Sequence, residues 1–294
     1  MLDRTGQWKE RLKHRIRTRL SPESTQTLKK VVNGTVEMGL WGRGLLKQLG
    51  GEHATVNVYH ACIQKTGSQW ISAVFRDPRT REASGLSPFP QFRYEWGEMR
   101  TRFPPHTYVP GLYISRGLYD EIEKPEPYRT IYVVRDPRDT VVSWYHSMRD
   151  SHRLMGKVHE HRRALVEMSV SEGISYCIRQ FQLKLSFVRS WLEADDDAHV
   201  KFVRLEDLAD NPFEGYRAIM DHCQIDIGDA KLEEVLKDYT KEKMRERDLE
   251  VRGEDAKSHY RRGGSDWREV FTEEHERLFR QVNGNLVELM GYEW

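Results

Sequence analysis

The sequence predicts an α/β fold in three layers, a central parallel sheet flanked by helices, and three observations carry that expectation. Short β-prone runs recur along the chain, each run ends in a polar or charged loop, and an amphipathic helical pattern follows each loop. Strands that alternate with helices long enough to cross over give parallel sheets covered on both faces.

The first run carries Val56, Val58, Tyr59, Ala61 and Ile63 and ends in Lys65-Thr66-Gly67-Ser68, after which Trp70, Ile71, Val74 and Phe75 fall at helical spacing. Asp77-Pro78 closes that helix, since a residue before proline is pushed out of the α region. The second run, Thr130–Val134, turns at Arg135-Asp136-Pro137 into a helix that carries Val141, Val142, Trp144, Tyr145 and Met148. Asp136 suits the N-cap, Pro137 the first helical position, and Asp139 the positive end of the helix dipole. A third strand is expected at Val200–Leu205, followed by Glu206-Asp207 and a helix around Tyr216–Cys223, and the pattern over Ser171–Leu192 is long enough for a crossover. In such sheets ligands bind outside the carboxyl ends of the strands, which is where the Lys65 and Arg135 loops fall.

A chain of 294 residues with 38% hydrophobic content can bury one large core. The expected division is a basic, helical N-terminal segment over residues 1–52 ahead of one domain over 53–294. Arg4, Lys9, Arg11, Lys13, Arg15, Arg17 and Arg19 set the segment apart, and Ser21-Pro22 should break it into two helices. Its basic face is either solvated or touches an anionic membrane or a partner protein. Over the whole chain 47 Lys and Arg nearly cancel 46 Asp and Glu, leaving no global field for nucleic acid, so any anion site must be local. Cys62, Cys177 and Cys223 are odd in number and lack CxxC spacing, which argues against a disulfide framework and against a zinc site. No run approaches the ~20 apolar residues that span a bilayer and no signal-peptide pattern opens the chain, so a cytoplasmic location is expected.

Gln64-Lys65-Thr66-Gly67-Ser68-Gln69-Trp70 has the makings of an anion cradle. Gly67 lets backbone N–H groups converge at a helix N-terminus, and Lys65, Thr66 and Ser68 add an ammonium and two hydroxyls. It is not a Walker A loop, whose GxxxxGK(S/T) pattern puts the lysine after the second glycine. The plain alternative is a surface loop with one lysine. In the second loop Arg135 offers fork-shaped phosphate recognition and Ser143, eight residues on, a short neutral donor, unless Arg135 or Arg138 is simply paired with Asp136 or Asp139. A third element, Arg261-Arg262-Gly263-Gly264-Ser265-Asp266-Trp267, reads as a flexible cationic lid, with Thr272 capping a final helix.

Together these three elements resemble the PAPS-dependent sulfotransferase family, where PAPS is 3′-phosphoadenosine-5′-phosphosulfate, and especially its soluble, small-molecule branch. The family's 5′-phosphosulfate loop, PK(S/T)GT(T/N)W, is similar to residues 64–70. Its 3′-phosphate motif has an Arg and a Ser at the spacing of Arg135 and Ser143, and its C-terminal RKGxxGDWxxxFT resembles Arg261-Arg262-Gly263 with Asp266-Trp267 and Phe271-Thr272. The resemblance spans roughly residues 55–294 and implies a P-loop-like version of the three-layer fold, PAPS as co-substrate, and no metal. It implies transfer of the sulfuryl group to a hydroxyl or amine of a small-molecule acceptor. Lys65 would neutralise the bridging oxygen, Thr66, Gly67, Ser68 and Gln69 would line the phosphosulfate site, and Trp70 would stack on adenine. Arg135 and Ser143 would hold the 3′-phosphate, and Arg261, Arg262 and Gly263 would close over a phosphate of the cofactor. Gln64 and Gln69 depart from the pattern, as does Gly111-Leu112-Tyr113, which stands where the family carries a KxH pair. With that histidine absent, the candidate bases are His106 and His60, with Glu95 and Glu98 as carboxylate alternatives. Two other readings stand beside this one: a non-catalytic nucleotide-binding or interaction protein on the same fold, and a glycan sulfotransferase.

Overall fold

A computed structural model describes residues 34–44, 46, 55–90, 102–152, 157–252, 258 and 266–294. The expected break at Ser21-Pro22 lies outside these residues. After a helix over 34–44 (α1) come β1 (Asn57–Cys62), α2 (Ser68–Arg76), α3 (Pro78–Ser84), the short β2 (Ser87–Pro88), β3 (Thr107–Leu112), α4 (Arg116–Asp120), β4 (Tyr128–Val134) and α5 (Pro137–His146). Helices α6 (Val158–Glu167), α7 (Val170–Gln180) and α8 (Gln182–Leu192) lead to β5 (Val200–Arg204). Then follow α9 (Leu205–Asp210), α10 (Pro212–His222), α11 (Asp229–Asp238), α12 (Lys241–Arg252), α13 (Glu273–Asn283) and α14 (Leu286–Leu289).

The sheet has the order β2-β3-β1-β4-β5, and every neighbouring pair is parallel, with Tyr59 opposite Thr130 and Tyr132 opposite Phe202. Alternation along the strands sends Tyr59, Ala61, Tyr132 and Val134 into one core, under α5, α7, α8 and α13. Val58, Cys62, Ile131 and Val133 go into a second core with α2, α10 and α11. This is the three-layer arrangement that continuous apolar strands require, since both of their faces must be covered.

Local signals explain the boundaries. Asp77 ends α2 and at once caps α3, its side chain accepting from the Arg79 N–H, and Pro78 takes the first helical position. Asp136 does the same for α5, accepting from the Arg138 N–H at 2.9 Å ahead of Pro137. The Ser171–Leu192 pattern is two helices rather than one, meeting at Phe181, whose backbone turns to φ −90°, ψ −3° while its N–H still bonds to the Cys177 carbonyl and its ring stays buried in the first core. No glycine or proline marks that break in the sequence. In α1, Leu40 is buried in the first core and Gly44 lies so near Pro105 that a Cβ there would come within 2.6 Å of its ring. Part of the segment expected to stand apart as residues 1–52 thus packs on the main body. Among the described residues no helix is long and apolar enough to cross a membrane.

Candidate active site

β1 delivers Lys65 and Gly67 to the carboxyl edge of the sheet in the left-handed region, at φ 75° and 76°. For Lys65 that conformation costs roughly 1–2 kcal/mol. At Gly67 it is free of that penalty, and a side chain would also collide with Leu205, whose Cδ1 lies 2.5 Å from the position of a Cβ. The sharp turn sets Ser68 at the start of α2, with the first N–H groups of that helix facing the loop. Thr66 points inward, its hydroxyl donating to the Ile63 carbonyl at 2.8 Å while it is 1% exposed, so this side chain braces the loop. Gln69 is exposed, and Trp70 packs edge-on against Tyr216 at 5.4 Å.

Arg135 belongs to the same edge. Arg135 Nη1 donates to the Lys65 carbonyl oxygen at 3.2 Å, and its other terminal nitrogen lies 3.9 Å from Asp139. Ser143 is half-buried one helix face along α5. The neighbouring arginine is used differently. Arg138 is 1% exposed, binds Asp136 at 2.7 Å, and lies 3.9 Å from the centre of the Trp267 ring and 4.9 Å from that of Trp294. The charge pairing weighed for Arg135 and Arg138 is therefore tight only at Arg138. Asp139 joins the C-terminal motif to this loop, accepting the Trp267 N–H at 2.8 Å. Burial raises its carboxyl to about 6, against the opposing pull of Arg135 and of that N–H. Arg261, Arg262 and Gly263, and likewise Glu95 and Glu98, lie outside the described residues.

The two candidate histidines are not brought to the loop. His106 precedes β3, at the amino end of the sheet, where its carbonyl accepts the Ser87 N–H and its Nδ1 is bonded to the Thr55 hydroxyl. It is 5% exposed and held at φ 57°. Pro104-Pro105 does make a stiff approach, but into a parallel strand, so it fixes His106 a full strand length from the carboxyl edge. His60 is fully buried within β1, Nδ1 3.1 Å from the Tyr108 hydroxyl, and burial lowers its pKa to about 3. Such an imidazole stays neutral and is a weak base at neutral pH.

Sequence reasoning passed over two groups. Tyr113 follows β3 directly and its hydroxyl meets Ser68 Oγ at 2.9 Å. Glu206 accepts the Asp136 N–H at 3.0 Å and the Tyr292 hydroxyl at 2.9 Å, while Arg204, at the end of β5, lies 4.2 Å from the centre of the Tyr292 ring. A signal for the second existed, since Arg204 leaves its strand as Arg135 does. Among the described residues no group of three or more His, Cys, Asp or Glu could hold a metal ion.

The chain and its fold have counterparts. A sulfotransferase domain model matches residues 58–291. Mouse sulfotransferase 6B1 is 28% identical over 148 residues, 49% of this chain and 46% of the relative. Human sulfotransferase 1C2 is 24% identical over 163 residues, 52% of each. The matched stretches thus span about half the length of these curated relatives. The crystal structure of the mouse sulfotransferase SULT7A1 complexed with PAP superposes with a TM-score of 0.55 at 19% identity, covering 86% of this chain and 95% of that one, a likeness of fold. With the domain model matched from the first strand to the last helix, the chain belongs to the sulfotransferase domain family.

Proposed function

We propose that this chain transfers the sulfuryl group of PAPS to a hydroxyl or amine of a small molecule and releases adenosine 3′,5′-bisphosphate (PAP). The observation that carries the reading is the join between the two anion loops. Arg135 donates to the backbone of Lys65 at 3.2 Å, so the group suited to a 3′-phosphate and the loop suited to a 5′-phosphosulfate stand one hydrogen bond apart. A nucleotide with anions at both ribose positions needs two such sites side by side. Support also comes from the PAP named with the mouse structure of the same fold.

In the reaction the acceptor attacks sulfur in line as the bond to the bridging oxygen breaks, and negative charge collects on that oxygen. The enzyme's task is positioning and positive charge rather than covalent chemistry. Lys65 supplies the ammonium, α2 its N-terminal dipole, and Arg135 with Ser143 anchors the far phosphate. The acceptor's proton needs a taker other than His60 and His106, and Glu95 and Glu98 are the carboxylates we put forward. Three buried free thiols fit a reducing compartment, and we propose the cytoplasm.

The test is transfer of labelled sulfate from PAPS to a library of small hydroxyl and amine compounds, with polysaccharides as a separate arm. Labelled small products support the reading. Binding of PAP without transfer to any acceptor would favour a non-catalytic nucleotide-binding protein, and labelling of polysaccharide alone would shift the acceptor class to glycans.

A further inference from the structure

We infer that Glu206 is a positioning residue for the 3′-phosphate of the donor, holding the peptide that follows Arg135, and that preference for a 3′-phosphorylated nucleotide depends on it; this rests on the proposed binding of PAPS. Strand pairing brings Glu206 and Asp136 together across 70 residues of sequence. β4 and β5 are parallel with Val134 opposite Arg204, so Arg135-Asp136 and Leu205-Glu206 leave the carboxyl edge side by side. The start of α9 then touches both anion loops. Leu205 packs at Gly67, its Cδ1 2.5 Å from where a Cβ would stand, and the next residue, Glu206, accepts the Asp136 N–H at 3.0 Å.

That N–H belongs to the peptide whose carbonyl is Arg135's own. A planar peptide turns as one unit, so holding the N–H fixes ψ of Arg135, while β4 fixes its other side, and the two together set the direction in which the guanidinium leaves the backbone. The Asp136 side chain does not do this, since both of its oxygens bind Arg138. Glu206 is itself held at both oxygens. The second accepts the Tyr292 hydroxyl at 2.9 Å, and the Arg204 guanidinium lies 4.2 Å from the centre of the Tyr292 ring. Burial and the Glu206 charge push the Tyr292 phenol up, so it stays a donor. By charge alone a carboxylate so near would weaken the binding of a phosphate. What Glu206 supplies is an acceptor in a fixed place.

PAP and adenosine 5′-phosphate differ only by the 3′-phosphate, so calorimetric titration of the full chain with each reads the role. Glu206→Ala should weaken PAP about tenfold and adenosine 5′-phosphate less than twofold. Glu206→Gln removes the same charge but keeps an oxygen for the Asp136 N–H and an amide N–H for the Tyr292 oxygen, so PAP should bind within about twofold of wild type. Equal weakening of both nucleotides by Glu206→Ala, no weakening of PAP, or a Glu206→Gln variant as weak as the alanine one overturns the positioning role and leaves the sulfotransferase reading standing. Where Glu206→Ala does not fold, Tyr292→Phe decides with the same two ligands: it releases one Glu206 oxygen and keeps the ring, and PAP should weaken about threefold with adenosine 5′-phosphate unchanged. Equal loss of both ligands, or none, overturns the role there too. A wild-type chain that binds neither nucleotide overturns both readings.

Discussion

At the carboxyl end of the sheet, Lys65 and Arg135 stand in loops whose backbone is strained or bent toward a common point, and among the described residues the nearest acid to Arg135 lies at 3.9 Å. At the amino end, the polar groups are matched with one another. His106 is bonded to Thr55, Asn57 accepts the Thr107 N–H at 3.0 Å, and Tyr119 is bonded to Thr130. Both ends contain buried polar side chains and cations, Arg129 and Lys201 lying near His222 at the amino end, but at the carboxyl end a cation, Arg135, is bonded to the backbone of the loop that opens α2. The difference teaches that polarity at a sheet edge does not mark the site. What marks it is the convergence of cationic side chains on a loop that opens a helix, an arrangement that a bound anion stabilises.

The sharpest way to break this contrast is at its strongest point. Lys65→Ala should lower turnover about 10²–10³-fold, as expected when one preorganised donor at developing charge is removed, while thermal melting stays close to wild type. A variant with near-normal turnover would mean that the carboxyl end does not act through this ammonium. Next in size is Arg135→Ala. Loss of PAP affinity by ~1.5–3 kcal/mol is expected, with adenosine 5′-phosphate affected far less, since only PAP carries the 3′-phosphate. Calorimetry that found the two ligands equally weakened would move the 3′-phosphate elsewhere.

Much of this was legible in the sequence because it is local. Asp136-Pro137 and the Thr272 cap announce helix starts, and Asp77-Pro78 a helix end, through the habits of single residues, and the boundaries fall there. The β1 and β4 loops were legible for the same reason, each being a strand, a turn and a cap. What could not be read was long-range. Phe103-Pro104-Pro105-His106 places the histidine ahead of a strand, but which edge of the sheet that start occupies is fixed by the parallel pairing of β3 with β1. Tyr113 is marked in sequence by standing at the histidine's place of the family's KxH pair, but its meeting with Ser68, 45 residues away, could not be read.

A smaller effect separates the two ends through the histidines. His106→Ala and His60→Ala should each slow turnover less than tenfold, well short of the ~10²–10⁴-fold expected for loss of a general base. Both should lower the melting temperature, since each removes a buried hydrogen bond, a change worth about 1–3 kcal/mol. A hundredfold drop in rate with an unchanged melting point in either variant would return that histidine to the chemistry.

The smallest expected effect tests the one acid that sits beside Arg135. Burial raises Asp139 to about 6, above its unfolded value, so its stabilising contribution is complete only below the unfolded pKa near 4 and is lost as pH rises through 6. Asp139→Asn keeps an acceptor for the Trp267 N–H and removes the titration. The difference in melting temperature, wild type minus variant, should therefore fall between pH 4 and about 6 and then level off, changing by only a few degrees, since ~1 kcal/mol shifts a domain of this size by ~2–4 °C. A difference that is flat from pH 4 to 6 and rises with pH only below about 4 would mean that Arg135 holds Asp139 as a full ion pair. The cation at the carboxyl end would then be matched by the protein, as the groups at the amino end are, and less of its charge would remain for a phosphate.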